Sequence, residues 1–384
     1  MTVTDAKEKA KDHIERLAVA GLDVESFWRG ATEAIAVAVP HYIAPCWFTM
    51  DPASLLVTSH FQEGLPEIPG EWLAMEYQGD DYNKMSDVAL SAPGLATLHE
   101  ATGGDPDRSA RYREAIVPYG GDQEMIAALR THDGASWGAL GLYREPGQPM
   151  FDDDEKGFIQ AVAPQLATGA RRGLLVGEAT DPDTPEPPGL IVLADDWSIE
   201  SMTPGTERWL SELPGWDDNG GSLPPAVLSV AGQAKRTAGV ATSGDIAFAR
   251  VLTTAGRWVL LHGANLVADD THRVAVIVEP AHPARITPLL MAAYQLTERE
   301  QEVARNVLQG RSTKEIAETL FISPYTVQEH LKSIFEKTGV RSRRDLVGKI
   351  FFAHYEPRLR DNEQRAQRGL ALRGGPVADR TLPS

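Results

Sequence analysis

Apolar residues recur at helical spacing near the C-terminus of this 384-residue chain. Four segments there each carry one apolar stripe, which predicts four short amphipathic helices. Their ranges are 297–309, 313–320, 324–338 and 343–353. Only Phe321 and Ile322 separate the predicted second and third helices. So short a break is typical of a helix-turn-helix, which leaves the third helix free to enter a major groove.

Residues that commonly cap helix N-termini precede the predicted helices. Thr297 with Glu300, and Ser312 with Glu315, match the capping box, in which a hydroxyl and a carboxylate satisfy the N–H groups left unpaired at a helix start. Ser323 precedes a proline at the first helical position, where no N–H is needed. These signals support the ranges drawn from the apolar pattern.

The third predicted helix turns one polar stripe away from its apolar side. Glutamine can pair with adenine, lysine with guanine, and glutamate can accept a hydrogen bond from cytosine. We therefore expect Gln328, Glu329 and Lys332 to read base edges. Other residues suit phosphates, which position a protein on DNA without reading its sequence. They are Lys314, Tyr325, Thr326, Lys337, Arg341 and Arg343.

This segment resembles the C-terminal DNA-binding domain of LuxR/FixJ-type transcription regulators. The matching residues are Leu296-Thr297, Arg299-Glu300, Gly310, Ile316-Ala317, Leu320, Ile322-Ser323, Thr326-Val327, His330, Lys337 and Gly339-Val340. In that family the position after the Thr-Val pair is often basic and contacts DNA. Here Gln328 occupies that position and an acid, Glu329, follows it. The departure concerns which operator is read, and it leaves the DNA-binding role in place.

The fourth predicted helix carries an apolar stripe at Val347, Ile350 and Phe351. A small helical domain has little core to absorb these side chains, so they are candidates for a dimer interface, as the resemblance also implies. Packing of the same side chains against the first helix of the domain is the open alternative.

Upstream of this domain, the pattern predicts a mixed region of helices and strands. Its elements are helices within 5–40, strands at 46–50 and 55–62, a helix at 72–78, an irregular stretch at 79–106, a short helix at 107–115, strands at 123–130 and 137–144, and a helix ending near 172. This order resembles a GAF domain, an α+β fold that senses small molecules. We assign residues 1–176 to it.

The remaining boundaries follow from composition and element order. Residues 177–189 are rich in proline and acid, which predicts an extended linker. Two strands, two helices and three further strands in residues 190–280 resemble a PAS domain. Residues 281–293 read as a proline-broken connector, residues 294–356 as the DNA-binding domain, and residues 357–384 as a basic, mobile tail. The predicted fold is multidomain α+β with an all-α helix-turn-helix domain.

Several side chains of the GAF-like region could line a ligand pocket. They are Trp47, Phe48, Tyr77, Tyr82, His99, Tyr112 and Met125. Core packing explains each of them without a ligand. We predict no cofactor, and an unidentified small-molecule effector stays open.

Composition narrows the class of protein. Cys46 is the single cysteine, which excludes an intramolecular disulfide, and the histidines lack metal-ligand spacing. No nucleophile elbow or phosphate-binding loop is present, so we predict neither catalytic residues nor an enzyme. A charged N-terminus and the lack of an apolar run of about 18 residues predict a cytoplasmic protein without a membrane span.

Charge is distributed unevenly along the chain, which has a net charge of −17. Residues 1–293 hold 21 basic and 42 acidic side chains, whereas residues 294–356 hold 10 and 9. An acidic body repels phosphates, so a single near-neutral DNA-binding domain should bind DNA weakly. We therefore expect a homodimer that binds double-stranded DNA with two such domains.

The predicted function is a sequence-specific transcription regulator whose N-terminal modules bind a small molecule or a partner and control the pairing of the DNA-binding domains. Contact with RNA polymerase is a further open partner. One alternative is a constitutive dimeric DNA-binding protein with purely structural N-terminal modules, and a weaker one is a regulator with an enzymatic N-terminal module. A phosphorylated response regulator fits less well, because its receiver domain would show alternating strands and helices.

Overall fold

The computed structural model describes residues 3–63, 70–174, 187–216, 223–237, 247–268, 271–281 and 283–347. One compact unit combines Met1–Gly177 with Pro187–Glu279, and the main part of a second unit begins at Pro280. Among these described residues, no helix is long and apolar enough to cross a bilayer.

The first part of the N-terminal unit is built on a five-stranded antiparallel sheet. Its elements are α1 (Val3–Val19), α2 (Val24–Ala38), β1 (Cys46–Met50), β2 (Val57–Phe61), α3 (Gly70–Gln78), α4 (Met85–Leu90), β3 (Leu95–Thr97), α5 (Leu98–Ala101), β4 (Gln123–Arg130), β5 (Ser136–Arg144) and α6 (Asp153–Leu174). The strand order is β2-β1-β5-β4-β3. Between α5 and β4, 3₁₀ turns at Pro106–Arg108 and Val117–Tyr119 flank a π-helical turn at Tyr112–Ile116.

One face of this sheet packs against α1, α2 and α6. Trp47 on β1 stacks on Trp28 of α2 with ring centroids 5.9 Å apart, and its indole N–H donates to Thr32 Oγ1 at 2.9 Å. Both tryptophans are fully buried, so this pair contributes a large share of the apolar area in the core. At Gly169 of α6 a Cβ atom would lie 2.2 Å from the Phe27 ring, so glycine is needed for α6 to lie this close to α2.

The second sheet repeats the topology of the first. Its elements are β6 (Gly189–Leu193), β7 (Ile199–Met202), α7 (Thr206–Glu212), α8 (Pro225–Thr237), β8 (Ala247–Leu252), β9 (Trp258–Ala268) and β10 (Thr271–Pro280). The strand order is β7-β6-β10-β9-β8. Counted from its own first strand, each sheet has the order 2-1-5-4-3. The chain therefore repeats one sheet topology, although no repeat is visible in its sequence.

The two sheets share one apolar core within the N-terminal unit. Helix α8 of the second sheet packs on α3 and β2 of the first, and Ser229 Oγ donates to the Val57 carbonyl at 2.7 Å. At Gly232 a Cβ atom would lie 2.7 Å from the Ala74 carbonyl oxygen, so the two helices approach closely there. The linker predicted at residues 177–189 thus joins two sheets that pack together; its residues 177–186 lie outside the described residues.

A buried ion pair also joins the sheets. Asp51, which follows β1, accepts hydrogen bonds from Arg250 of β8 at its Nε (2.8 Å) and backbone N–H (3.0 Å), and Arg250 Nη2 also donates to it. Asp51 Oδ1 accepts from the Ala53 N–H at 2.9 Å as well. The carboxylate is fully buried and the Arg250 side chain nearly so. Among the described residues, each of these buried charges has the other as its ion-pair partner.

The described part of the second unit is helical. It contains α9 (Pro283–Ala293), α10 (Glu298–Leu308), α11 (Thr313–Leu320) and α12 (Pro324–Thr338), and residues 343–347 begin a further helical segment. Among the described residues, a core of eleven buried side chains, Val303, Ile316, Val327 and Ile334 among them, is built mainly from α10, α11 and α12. The first three helices predicted for this domain are confirmed here, whereas residues 348–353 of the predicted fourth helix lie outside the described residues.

Most other predicted helices and strands are also confirmed, and two predictions were wrong. The stretch 79–106 is not irregular: it holds α4, β3 and α5, which have six, three and four residues. Elements this short carry too few apolar positions to show a period.

The second wrong prediction concerns the connector at residues 281–293, which forms the continuous helix α9 despite Pro288. Ile286, Leu289, Leu290 and Met291 are buried. We infer that their burial offsets the roughly 3 kcal/mol that an interior proline costs a helix. The predicted tail at residues 357–384 lies outside the described residues.

Candidate functional site

Reciprocal capping fixes the start of the first two helices of the helix-turn-helix region. Glu300 Oε2 accepts from the Thr297 N–H at 2.7 Å, while Thr297 Oγ1 accepts from the Glu300 N–H. Ser312 and Glu315 make the same pair of bonds at α11, with 2.6 Å between the Ser312 nitrogen and Glu315 Oε2. Both predicted capping boxes are confirmed.

The turn between α11 and α12 is tight. Phe321 adopts a left-handed conformation with φ +56°, and the Ile322 N–H donates to the Ala317 carbonyl at 3.0 Å. Ser323 Oγ then accepts from the Thr326 N–H at 3.0 Å, which starts α12. The Phe321 side chain is 95% exposed. This turn fixes the direction of α12 while presenting an aromatic ring beside its first residues.

The polar face of α12 is open to solvent. Gln328, Glu329 and Lys332 are all exposed, and Tyr325 at the start of the helix is 71% exposed. Within the described part of the chain, Gln328, Glu329 and Lys332 take part in no side-chain hydrogen bond or ion pair. No internal contact would have to break before these three side chains met base edges. Their role in reading bases stays a prediction that the geometry permits.

Glu300 joins α10 to α12 in addition to capping α10. Its side chain is only 5% exposed, and it accepts hydrogen bonds from Ser333 Oγ and from Lys337 Nζ, each at 2.6 Å. Burial alone would raise the pKa of Glu300, but the bonds from Lys337, Ser333 and the Thr297 N–H outweigh it and hold the pKa below its usual value. Lys337 therefore holds α12 against α10, and a phosphate bound by Lys337 would compete with Glu300.

The other residues expected at phosphates occupy different environments. Lys314 and Arg341 are exposed, whereas Thr326 is half-buried and its hydroxyl lies 2.8 Å from Ser323 Oγ. Arg343 is also half-buried, and burial lowers the pKa of its guanidinium. Exposure therefore favours Lys314 and Arg341 as phosphate contacts more than it favours Thr326 or Arg343.

Of the residues predicted for a dimer interface, one can be placed. Val347 is half-buried and packs against the core of the second unit, as in the alternative to a dimer interface. Ile350 and Phe351 lie outside the described residues. The dimer interface remains a prediction.

A cavity of about 560 Å³ lies in the N-terminal unit; residues on the face of the first sheet opposite α1, α2 and α6 form much of its lining, and it also reaches Glu25 and Arg29 of α2. Of the seven residues predicted to line a pocket, Phe48 lines this cavity. Trp47 and Met125 point to the other face of the sheet and belong to the core there. Because alternate residues of a strand point to opposite faces, Trp47 and Phe48 could not both have lined one pocket.

The other four predicted pocket residues are not among those that line the cavity. The Tyr77 hydroxyl donates to the Leu55 carbonyl at 3.1 Å and accepts from the Val57 N–H at 2.9 Å, so it closes the β1–β2 turn. Tyr82 and Tyr112 belong to a small apolar cluster, and His99 packs edge-on against Tyr112. The Tyr112 hydroxyl donates to Asp122 Oδ1 at 2.7 Å. Each of these side chains has a structural role where it lies.

A group of buried charges in the cavity wall was not predicted. Arg111 lies between two buried carboxylates, with Nη1 3.0 Å from Glu76 Oε2 and Nη2 2.8 Å from Glu124 Oε2. Asn83 Nδ2 donates to the same oxygen of Glu124 at 2.9 Å. Burial raises the pKa of Glu76 to about 7, although Arg111 opposes the shift. These residues come from α3, the segment before the π-helical turn, and β4, so no local sequence pattern could have grouped them.

Groups of His, Cys, Asp and Glu that could hold a metal ion are absent from the described residues.

Comparison with known proteins adds to this geometry. Residues 294–349 match the family described as "Bacterial regulatory proteins, luxR family". This chain is 46% identical to the spore germination protein GerE of Bacillus subtilis over 52 aligned residues. The alignment covers 14% of this chain and 70% of GerE. The chain is also 50% identical over 52 residues to a putative HTH-type transcriptional regulator of Mycobacterium bovis, but spans only 6% of that relative's length.

Among solved structures, the ligand-binding domain of VqsR from Pseudomonas aeruginosa aligns with 45% of this chain and 95% of its own length, at 16% identity and a TM-score of 0.30. We draw no conclusion about function from a likeness at this level.

Proposed function

Because this chain belongs to the LuxR family of bacterial regulatory proteins, we propose that it regulates transcription by reading operator DNA with α12, under the control of a small molecule bound in its N-terminal unit. The family match covers the DNA-binding domain only. The control by a small molecule is argued from the N-terminal unit itself. No catalytic step is part of the proposal.

One observation carries the DNA-binding part. A capped helix follows a tight turn and presents Gln328, Glu329 and Lys332 to solvent, while its opposite face is buried against α10 and α11. A helix supported in this way can enter a major groove, where glutamine, glutamate and lysine can pair with different base edges.

Charge favours binding by a dimer. The net charge of −17 is concentrated in the N-terminal unit, so one DNA-binding domain gains little from phosphate attraction. When one domain of a dimer is bound, the second domain is held near the same duplex at a high effective concentration, so the dimer binds more tightly than a single domain. We propose a homodimer on two half-sites about one helical turn apart, which could also contact RNA polymerase.

The cavity of the N-terminal unit is a place where a bound small molecule could change how the two sheets pack. Leu223, Pro225 and Leu228, which precede or begin α8 of the second sheet, line the cavity of the first sheet together with Phe48 and Ile126. An occupant would therefore contact both sheets and bias how they pack. We propose that the first sheet is a GAF-like sensor and the second a PAS-like module; the common strand order supports this pairing of related folds.

Lys332→Ala should weaken binding to an operator duplex by about 2 kcal/mol and relax the base preference at one position of each half-site. The reason is the loss of a lysine contact to a guanine edge. Fluorescence anisotropy with full-length protein, on the operator and on a scrambled duplex, measures both effects. Lys314→Ala is the matched control, because loss of a phosphate contact should weaken both duplexes equally. An unchanged operator affinity for Lys332→Ala would remove Lys332 from the reading face.

A further inference from the structure

The cavity of the N-terminal unit has an excess of negative charge. Four carboxylates and two guanidinium groups line it: Glu25, Glu63, Glu76, Glu124, Arg29 and Arg111. Arg29 is paired with Glu63 at 2.7 Å near the surface, and Arg111 is shared between Glu76 and Glu124. We call Glu76, Arg111 and Glu124 the inner group; it contains two carboxylates and one guanidinium, so one carboxylate is left without a counter-charge when both are ionised.

The charges directly around this inner group do not cancel the excess. Lys84 is buried and donates to the Gly79 carbonyl at 3.1 Å, while Asp81 accepts from the Arg111 N–H at 3.0 Å. With Glu76 and Glu124 both ionised, one charge of each sign leaves the sum at one negative charge. Burial raises the pKa of Glu76 to about 7, so this carboxyl is partly protonated at neutral pH, and a bound cation would favour its ionised form.

The polar wall of the cavity also has acceptors to spare. Among the described residues, Glu76 Oε1 accepts a single long bond, from the Ser86 N–H at 3.3 Å, and Glu124 Oε1 accepts one from the Tyr143 hydroxyl at 3.3 Å. Gln62 Oε1 is buried and, within the described residues, has no hydrogen-bond partner. Buried acceptors without full partners are costly in an interior. A ligand that brings N–H donors would satisfy them.

His60 adds no positive charge to this wall. Burial lowers its pKa to about 4, so the imidazole is neutral at neutral pH, and its Nε2 is buried without a hydrogen-bond partner among the described residues. The remaining wall is largely apolar and includes Phe48, Ile116, Ile126 and Leu228. The cavity thus combines an anionic, acceptor-rich side with an apolar side.

We propose that this cavity binds an organic cation: a small molecule with an apolar body and a protonated amine or amidine, whose N–H groups donate to Glu76 and Glu124. The proposal deepens the proposed function by giving the chemical class of its effector. Charge-assisted hydrogen bonds to two carboxylates hold the cationic end, and the apolar wall covers the body. Arg111 positions both carboxylates through its Nη1 and Nη2 atoms, while its Nε is buried with no hydrogen-bond partner among the described residues.

A series of three probes tests the charge preference on the unaltered full-length protein. 2-Phenylethylamine, 2-phenylethanol and 3-phenylpropanoate share a phenyl ring and similar size but are cationic, neutral and anionic. In calorimetric titrations the amine should bind about tenfold more tightly than the alcohol, and the carboxylate should bind most weakly. Equal binding of the amine and the alcohol, tighter binding of the carboxylate, or no binding of any probe would overturn the proposal.

Variants then locate the binding. Glu76→Gln should weaken binding of 2-phenylethylamine about tenfold and leave that of 2-phenylethanol nearly unchanged. Glu145→Gln, an exposed glutamate outside the cavity, is the matched control and should change neither. Should Glu76→Gln fail to fold, Glu124→Gln takes its place. Unchanged amine affinity in a folded cavity variant would contradict the assignment.

These titrations contain no DNA, so they separate the two proposals. Amine binding without any DNA binding would contradict the proposed function and leave the cation site in place. DNA binding with no preference for the amine would contradict the cation site alone.

Discussion

Asp51→Ala should lower the free energy of unfolding of the N-terminal unit by about 3–5 kcal/mol, because it leaves the Arg250 guanidinium buried without its counter-charge. The same change removes the acceptor for the Ala53 N–H in the turn that follows β1. All eight tryptophans lie between Trp28 and Trp258, so urea unfolding followed by tryptophan fluorescence reports on this unit alone.

A double-mutant cycle separates the ion pair from the turn. Arg250→Met should also be destabilising, but Asp51→Ala combined with Arg250→Met should cost less than the sum of the two, because neither charge is then left unpaired. Asp51→Asn retains an acceptor for Ala53 and should lie between wild type and Asp51→Ala. Strictly additive losses would show that the pair does not link the sheets.

Glu300→Ala should destabilise the DNA-binding domain by about 3 kcal/mol. The variant loses half of the α10 capping box and the acceptor that holds Ser333 and Lys337 on α12. Because no tryptophan lies in this unit, amide hydrogen exchange of α10 and α12 in the full-length protein is the suitable measurement.

Glu300→Gln separates capping from charge. Glutamine can occupy the same position of a capping box, so this variant should lose less stability than Glu300→Ala. The pKa of Glu300 is lowered in the folded chain, so the difference between wild type and Glu300→Gln should be fully present above the ordinary value of 4.5 and disappear as the pH falls through the lowered pKa. Equal protection of α10 and α12 in wild type and both variants would refute the role given to Glu300.

The helix-turn-helix could be predicted almost completely from the sequence, because its information is local. Thr297, Ser312 and Ser323 each cap the helix that they precede, and Gly339 adopts the left-handed conformation at the end of α12. The second contribution of Glu300 was missed, since Ser333 and Lys337 reach it from more than 30 residues away. Capping is a short-range property of the chain, whereas helix-to-helix contacts are not.

The N-terminal unit shows the opposite case. Its strands could be predicted from apolar runs, but the common order of the two sheets depends on pairings such as β1 with β5, which are distant in sequence. The cavity residues Glu76, Arg111 and Glu124 lie on three elements and read individually as surface charges. The expected pocket was built from aromatic residues, and most of those fill cores or close turns because apolar burial is the commoner use of such side chains.

Sequencing of DNA crosslinked to the full-length protein in the cells that produce it tests the central claim most directly, because any effector is then present. The recovered fragments should share two half-sites related by dyad symmetry and spaced about one helical turn apart, and Lys332→Ala should lose base preference within each half-site. Recovery of DNA with no common sequence, or of the same sequences by wild type and Lys332→Ala, would contradict the account of α12 as the reading helix.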